Sequence, residues 1–225
     1  MTIYDKIVQG TDEWKELRHG KVGGSTAAKI MTKLDKSVCE CAIFSKMLSE
    51  HMEDFDPFTN EYSSAAMQRG NEFEPLAREE YERLMGVKVQ QVGWVELEET
   101  NCFVGISPDG WIQKAKKSIE IKCPNADTHV NYMLNFKEFL EEYCWQIVHN
   151  FYVLGVDSVD CISYRPENKF KPIIIHTVTK DTEIRISKKE VYKVSQLVQM
   201  LDDRCNELYN EIQKEIKNQN KQLEF

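Results

Sequence analysis

Apolar residues recur along this chain with two periods, helical at first and strand-like later, and the change falls near residue 86. Thr11 reads as the cap of a short helix through Leu17, with Asp12 and Glu13 in its first turn. Gly23-Gly24-Ser25 opens a second helix, Thr26 to Lys33, and a third is expected from about Val38 to Met52. A long helical stretch from about Ser63 to Met85 is expected to break or kink near Pro75 and to end at Gly86.

Beyond Gly86, Val87 to Val95 is rich in β-branched residues, and Cys102 to Ile106, Gly110 to Gln113 and Ser118 to Lys122 continue it as a meander. Leu140, Cys144, Ile147, Phe151 and Leu154 then fall at helical spacing and predict a helix from about Lys137 to Leu154. Two further strands, Val159 to Tyr164 and Pro172 to Val178, precede a long charged helix from about Glu183. Helices flanking a small central mixed β-sheet make the expected fold class α/β. No Pro/Gly/Ser-rich linker divides the 225 residues, so residues 1–225 are expected to form a single domain.

Charge and cysteine usage narrow the setting. Seven cysteines without paired spacing fit a reducing compartment, and the lone Cys39/Cys41 pair lacks the grouped ligands of an iron–sulfur site. With no signal-like stretch and no apolar run near the length of a membrane span, a soluble, cytoplasmic protein without membrane attachment is expected. The net charge of −8 argues at first against a nucleic-acid partner. Basic residues nevertheless cluster at Lys15, Arg18, His19 and Lys21, at Lys114, Lys116 and Lys117, and at Lys169 and Lys171. The Lys114 to Lys117 turn is expected beside the candidate site described next.

Ser107-Pro108-Asp109-Gly110 is followed a short hairpin later by Glu120-Ile121-Lys122. Alternation along a strand puts Glu120 and Lys122 on one face and turns Ile121 into the core, while strand pairing brings Asp109 alongside. Hard divalent cations take oxygen ligands, which Asp109, Glu120 and the Ile121 carbonyl can supply. Such an ion turns water into a nucleophile at neutral pH, and Lys122 is placed to orient or deprotonate it. The same residues also describe an ordinary Pro-Asp-Gly turn leading into a solvated hairpin, so the rest of the chain must decide.

Ser107-Pro108-Asp109-Gly110 with Glu120-Ile121-Lys122-Cys123-Pro124 closely resembles the core of the phage lambda exonuclease and YqaJ-like viral recombinase group of PD-(D/E)XK nucleases. Trp14-Lys15-Glu16-Leu17-Arg18-His19-Gly20 with Gly24-Ser25, Met67 to Glu74, and Tyr143-Cys144-Trp145-Gln146 resemble further family segments in the same order. Asn150 stands where related RecB-type nucleases carry a tyrosine, a departure that fits the lambda-like branch.

The resemblance implies a restriction-endonuclease-like core and a Mg²⁺-dependent 5′→3′ exonuclease acting on double-stranded DNA ends, with mononucleotides and a 3′ single strand as products. It implies two ions, with Mn²⁺ able to substitute, on Asp109, Glu120, the Ile121 carbonyl and Glu74, with Glu72 as the competing helix acid. Lys122 then activates water, Gln146 positions the reacting groups, and Arg18 and Ser25, with Ser107, hold a 5′-phosphate. A single-strand annealing protein as partner and a ring-shaped homotrimer are implied as well. An endonuclease of restriction or repair type and a non-catalytic recombination accessory protein are the alternatives.

Overall fold

In the computed structural model, which describes residues 1–58 and 64–222, the chain begins with β1 (Thr2–Tyr4), α1 (Asp12–Arg18), α2 (Gly24–Ile30), α3 (Phe44–Met52) and α4 (Ala65–Met85). There follow β2 (Trp94–Glu96), β3 (Gly105–Ile106), β4 (Gly110–Ile112), β5 (Lys117–Lys122), α5 (Ala126–Leu134), α6 (Lys137–Glu142) and α7 (Cys144–Leu154). β6 (Ser158–Tyr164), β7 (Ile173–Thr179), the hairpin of β8 (Glu183–Arg185) and β9 (Val191–Lys193), and α8 (Val194–Gln222) complete it.

The central sheet has the order β4-β5-β6-β7 and is mixed: β5 runs parallel to β6, while the outer pairs are antiparallel. Strand alternation divides the core. Ile119, Ile121, Ile162 and Tyr164 pack with Ala77 and Tyr81 of α4, whereas Val159 and Cys161 join the larger cluster under α2, α7 and α8. Asp160 lies wholly buried on the α4 side, where Tyr81 Oη (2.6 Å), Lys117 Nζ (2.8 Å) and Thr177 Oγ1 (2.7 Å) satisfy its carboxylate.

Several elements depart from the periodicity. Of the expected Val87–Val95 strand only Trp94 and Val95 enter a ladder, within β2 between β1 and β3, while Val87 and Val89 pack against the α4 cluster. The expected meander is therefore two separate sheets joined by an isolated Gln90–Trp111 bridge. The Val38–Met52 helix splits into a 3-10 turn at Val38–Glu40 and α3, since Cys41 is extended between them. Tyr143 likewise separates α6 from α7.

α4 runs through Pro75 without interruption; both Pro75 and Asn71, whose carbonyl loses a donor there, face water. Ser63, the expected start of that helix, lies outside the described residues. Gly86 ends it in the left-handed conformation, at φ 66°. The final helix starts at Val194, not Glu183, because β8 and β9 form a hairpin first. Among the described residues, no helix is long and apolar enough to cross a membrane.

The Lys114–Lys117 turn lies at the opposite end of β5 from Lys122, contrary to its expected place beside the site. Five strand steps separate Lys117 from Lys122, about 17 Å. Lys117 is spent on the buried Asp160.

Candidate active site

Asp109 stands one residue before β4, and Glu120 and Lys122 share one face of β5. Gly110 makes this close approach possible: a Cβ there would lie 2.2 Å from Val89 Cγ1 and 2.8 Å from Ile119 Cδ1. Asp109 Oδ2 accepts the Ile121 N–H at 2.7 Å, so one main-chain donor ties the carboxylate to the strand bearing the other two groups. Lys122 Nζ donates to Glu120 Oε1 at 2.6 Å and sits 4.9 Å from the Tyr143 ring centroid.

α4 supplies the next layer. Glu74 is half-buried and ion-paired with Arg78, whereas Glu72 is exposed, so the structure brings the former and not the latter to the cluster. Arg78 also donates Nε to the Asp109 carbonyl at 2.7 Å, pinning the turn that carries this acid. The sequence reading gave Arg78 no role; its i+4 spacing from Glu74 was the available signal.

α7 contributes Asn150, which is buried and donates Nδ2 to Glu120 Oε2 at 3.1 Å and to the Gln146 carbonyl at 3.0 Å. The two oxygens of Glu120 are thus held separately, one by Lys122 and one by Asn150. Gln146 is half-buried on the same helix stripe, one turn before Asn150. The buried Oδ1 of Asn150 has no hydrogen-bond partner, at a cost of about 1–3 kcal/mol. A buried amide so poorly satisfied is explained by the carboxylate it steadies. Asn150→Leu, similar in volume, is expected to keep the fold and to weaken metal affinity or activity about 10- to 100-fold, as loss of a ligand-orienting partner does. A Mg²⁺ titration of nuclease rate beside a thermal melt checks this.

The electrostatics follow from the crowding. Burial raises the Asp109 carboxyl well above its ordinary range, and Glu120 and Glu74 push it further; Lys122 and the Ile121 N–H pull only partly back. Burial also raises Glu74, against Arg78 and Lys122. For Lys122 burial disfavours the charge, but Glu120 and Asp109 outweigh it and hold the ammonium above its usual value. A carboxyl raised in this way makes the folded state less stable as pH rises from the ordinary carboxylate range through the raised value. Asp109→Asn removes that charge, so the metal-free variant is expected to melt above the parent by a margin that widens with rising pH, while losing nuclease activity. A parent that melts higher at neutral pH would contradict the repulsion.

The donor chemistry suits a hard divalent ion: carboxylates repel one another across a short gap, with a strand carbonyl beside them. Among the described residues, no three His, Cys, Asp or Glu side chains form a ready metal cage.

Near Ser107 lies the second expected cluster. The Arg18 guanidinium stacks 3.8 Å from the Trp14 ring centroid and 5.5 Å from that of Trp94. Ser25 is exposed in the first turn of α2, and Arg204 of α8 caps the other end of that helix by donating to the carbonyls of Ile30 (3.1 Å), Lys36 (3.0 Å) and Lys33 (3.5 Å). Ser107 donates its hydroxyl to the Gly93 carbonyl (2.6 Å) and accepts from Trp14 Nε1 (2.7 Å). Its proton is therefore used within the protein, and it braces the ring on which Arg18 lies. His149 of α7, fully buried, joins this cluster to the fold through the Gly105 carbonyl at 2.8 Å; burial pushes its imidazole down to about 4.

A mixed sheet carrying Asp-(x)n-Glu-x-Lys, backed by helices on both faces, defines a lambda-exonuclease-like α/β nuclease. The chain belongs to the YqaJ-like viral recombinase domain family, whose model matches residues 13–157. It is similar to the crystal structure of LHK-Exo in complex with dAMP, at 27% identity and TM-score 0.74, over 95% of this chain and 98% of that one. A second structure of the same alkaline exonuclease, from Laribacter hongkongensis, matches at 26% identity, TM-score 0.74 and the same coverage. A phage-related exonuclease from Haemophilus somnus 129PT shares the fold at 16% identity and TM-score 0.56, over 87% of this chain and 96% of that one. No curated protein matches the chain.

Proposed function

We propose that the protein is a Mg²⁺-dependent exonuclease that degrades one strand of double-stranded DNA from a 5′-phosphorylated end, leaving a 3′ single strand. The observation that carries this reading is the tie between Asp109 Oδ2 and the Ile121 N–H, which sets a carboxylate against the Glu120–Lys122 ion pair. Asp109, Glu120 and the Ile121 carbonyl, supported by Glu74, would hold Mg²⁺, or Mn²⁺ in its place. One or two such ions supply a nucleophilic water at neutral pH and offset charge on the phosphate.

Asn150 steadies Glu120, and Arg78 steadies Glu74 and the Asp109 turn. Lys122, whose ammonium is favoured by Glu120 and Asp109, orients the attacking oxygen and faces the phosphate charge. Gln146 donates its amide to the same oxygens. Arg18 bridges two oxygens of the terminal phosphate, with Ser25 adding a hydroxyl. Only two chain steps, at most about 7 Å, separate Ser107 from Asp109, so the end-holding cluster sits close to the bond to be cut. Products would be deoxynucleoside monophosphates, the chemical class of the dAMP bound to LHK-Exo. A trimeric ring around DNA, and transfer of the 3′ strand to an annealing protein, extend the proposal and rest on the family alone.

Linear duplex bearing either a 5′-phosphate or a 5′-hydroxyl, with strand-specific labels, tests the reading against closed circular duplex. Faster loss of the 5′-phosphorylated strand, abolished by chelator and absent on circles, is the expected result. Cutting of circles would make the chain an endonuclease, and equal rates on both ends would remove the roles of Arg18 and Ser25.

A further inference from the structure

Residues 165–172 connect β6 to β7, and their exposed tip reads Lys169-Phe170-Lys171. Phe170 is 96% exposed, more than any other large hydrophobic residue described. A single exposed apolar side chain is ordinary. What sets this one apart is how firmly its stem is held and where it stands.

The loop is braced at each step. Arg165 N donates to the Pro172 carbonyl (2.7 Å) and Asn168 N to the Arg165 carbonyl (3.0 Å), closing the neck. Asn168 Oδ1 then accepts the N–H groups of Phe170 (3.1 Å) and Lys171 (3.0 Å), so the ring is presented on a fixed turn. The buried His129 of α5 takes the Lys171 carbonyl at 2.8 Å.

The same contacts place the loop at the catalytic end of the sheet. β5 and β6 are parallel and Lys122 pairs with Ser163, so the chain leaving β6 emerges beside the chain leaving β5. Arg69 Nε (3.2 Å) and Arg165 Nη1 (3.1 Å) converge on the carbonyl of Pro124, two residues after Lys122. Arg69 also grips Glu167 with both terminal nitrogens, at 3.0 and 2.8 Å, and it lies on α4 five residues before Glu74. The loop is thus fastened to α4, which carries Glu74, and to the segment that follows Lys122 of β5.

We propose that this loop is a single-strand platform: the Phe170 ring stacks on an unpaired base at the mouth of the active site, with Lys169 and Lys171 against the flanking phosphates. The inference rests on the nuclease reading above. Intact duplex hides its base faces, whereas removing one strand exposes an unpaired base in the other at every step. An aromatic ring between cations is the chemistry that recognises such a base without regard to sequence.

The test uses the full chain in a Lys122→Ala background, so that DNA persists, with fluorescent duplex carrying a 3′ single-stranded extension and blunt duplex as control. Phe170→Ala is expected to weaken binding of the extended duplex about 5- to 150-fold and the blunt one by much less. Phe170→Trp should retain affinity, and Phe170→Leu should not. Lys169→Ala with Lys171→Ala should lower the slope of log affinity against log salt by about one to two units. An alanine variant within twofold of its parent overturns the proposal. So does rescue by leucine, or a change in molecular mass on Phe170→Ala, either of which identifies an apolar contact with protein or a second copy. Failure of the nuclease reading shows separately, as an unmodified chain that binds DNA through Phe170 yet does not digest it.

Discussion

Replacing Lys122 by alanine is expected to slow duplex digestion by about 10²- to 10³-fold, the range lost when a positioned donor facing developing charge is removed. The ammonium pairs with Glu120 and draws the Asp109 carboxyl back toward its ordinary range, and its loss leaves both carboxylates beside Glu74 and its partner Arg78. The variant should still fold, since Lys122 lies at the half-buried end of its strand. Lys122→Arg keeps the charge but not the compact point donor, and should recover only part of the rate. Single-turnover rates at saturating Mg²⁺ separate lost chemistry from lost metal, and an alanine variant within a few-fold of the parent would remove Lys122 from the mechanism.

Asp160→Ala should produce the largest loss of stability in the chain, about 3–5 kcal/mol, the cost of breaking a buried ion pair from one side. The substitution strands Lys117 Nζ, Tyr81 Oη and Thr177 Oγ1 together, and Tyr81 belongs to the helix that carries Glu74 and Arg78. Asp160→Asn keeps the shape and one acceptor, and should cost less. Denaturant unfolding followed by tryptophan fluorescence measures both, and an alanine variant within 1 kcal/mol of the parent would show that the network is dispensable.

Alternation made β5, β6 and β7 legible, because a strand with one face on each of two cores must place its polar groups in register. The i+4 series did the same for α7. Elements stabilised by distant partners left weaker marks. α5 begins at an Asn125 cap (2.9 Å to Thr128 N), a local signal hidden behind the Cys123-Pro124 motif. β1, only Thr2–Tyr4 and too short to show a period, pairs with β2 on the side opposite the expected partner β3. Within the site, the face shared by Glu74, Ala77, Arg78 and Tyr81 was readable from spacing. That Arg78 reaches the Asp109 carbonyl was not, since the contact spans 31 residues. Asn150 could be placed on the Gln146 stripe, yet its hydrogen bond to Glu120 depends on how α7 crosses the sheet.

Arg204 closes α2 from a position 174 residues after Ile30, the carbonyl it caps. A ribosome finishes the acids and the lysine of the cleavage site long before it supplies that arginine. An incomplete chain would therefore carry the cutting residues while the helix bearing Ser25 stayed uncapped. Under the function proposed above, the order of synthesis would complete the end-binding helix last.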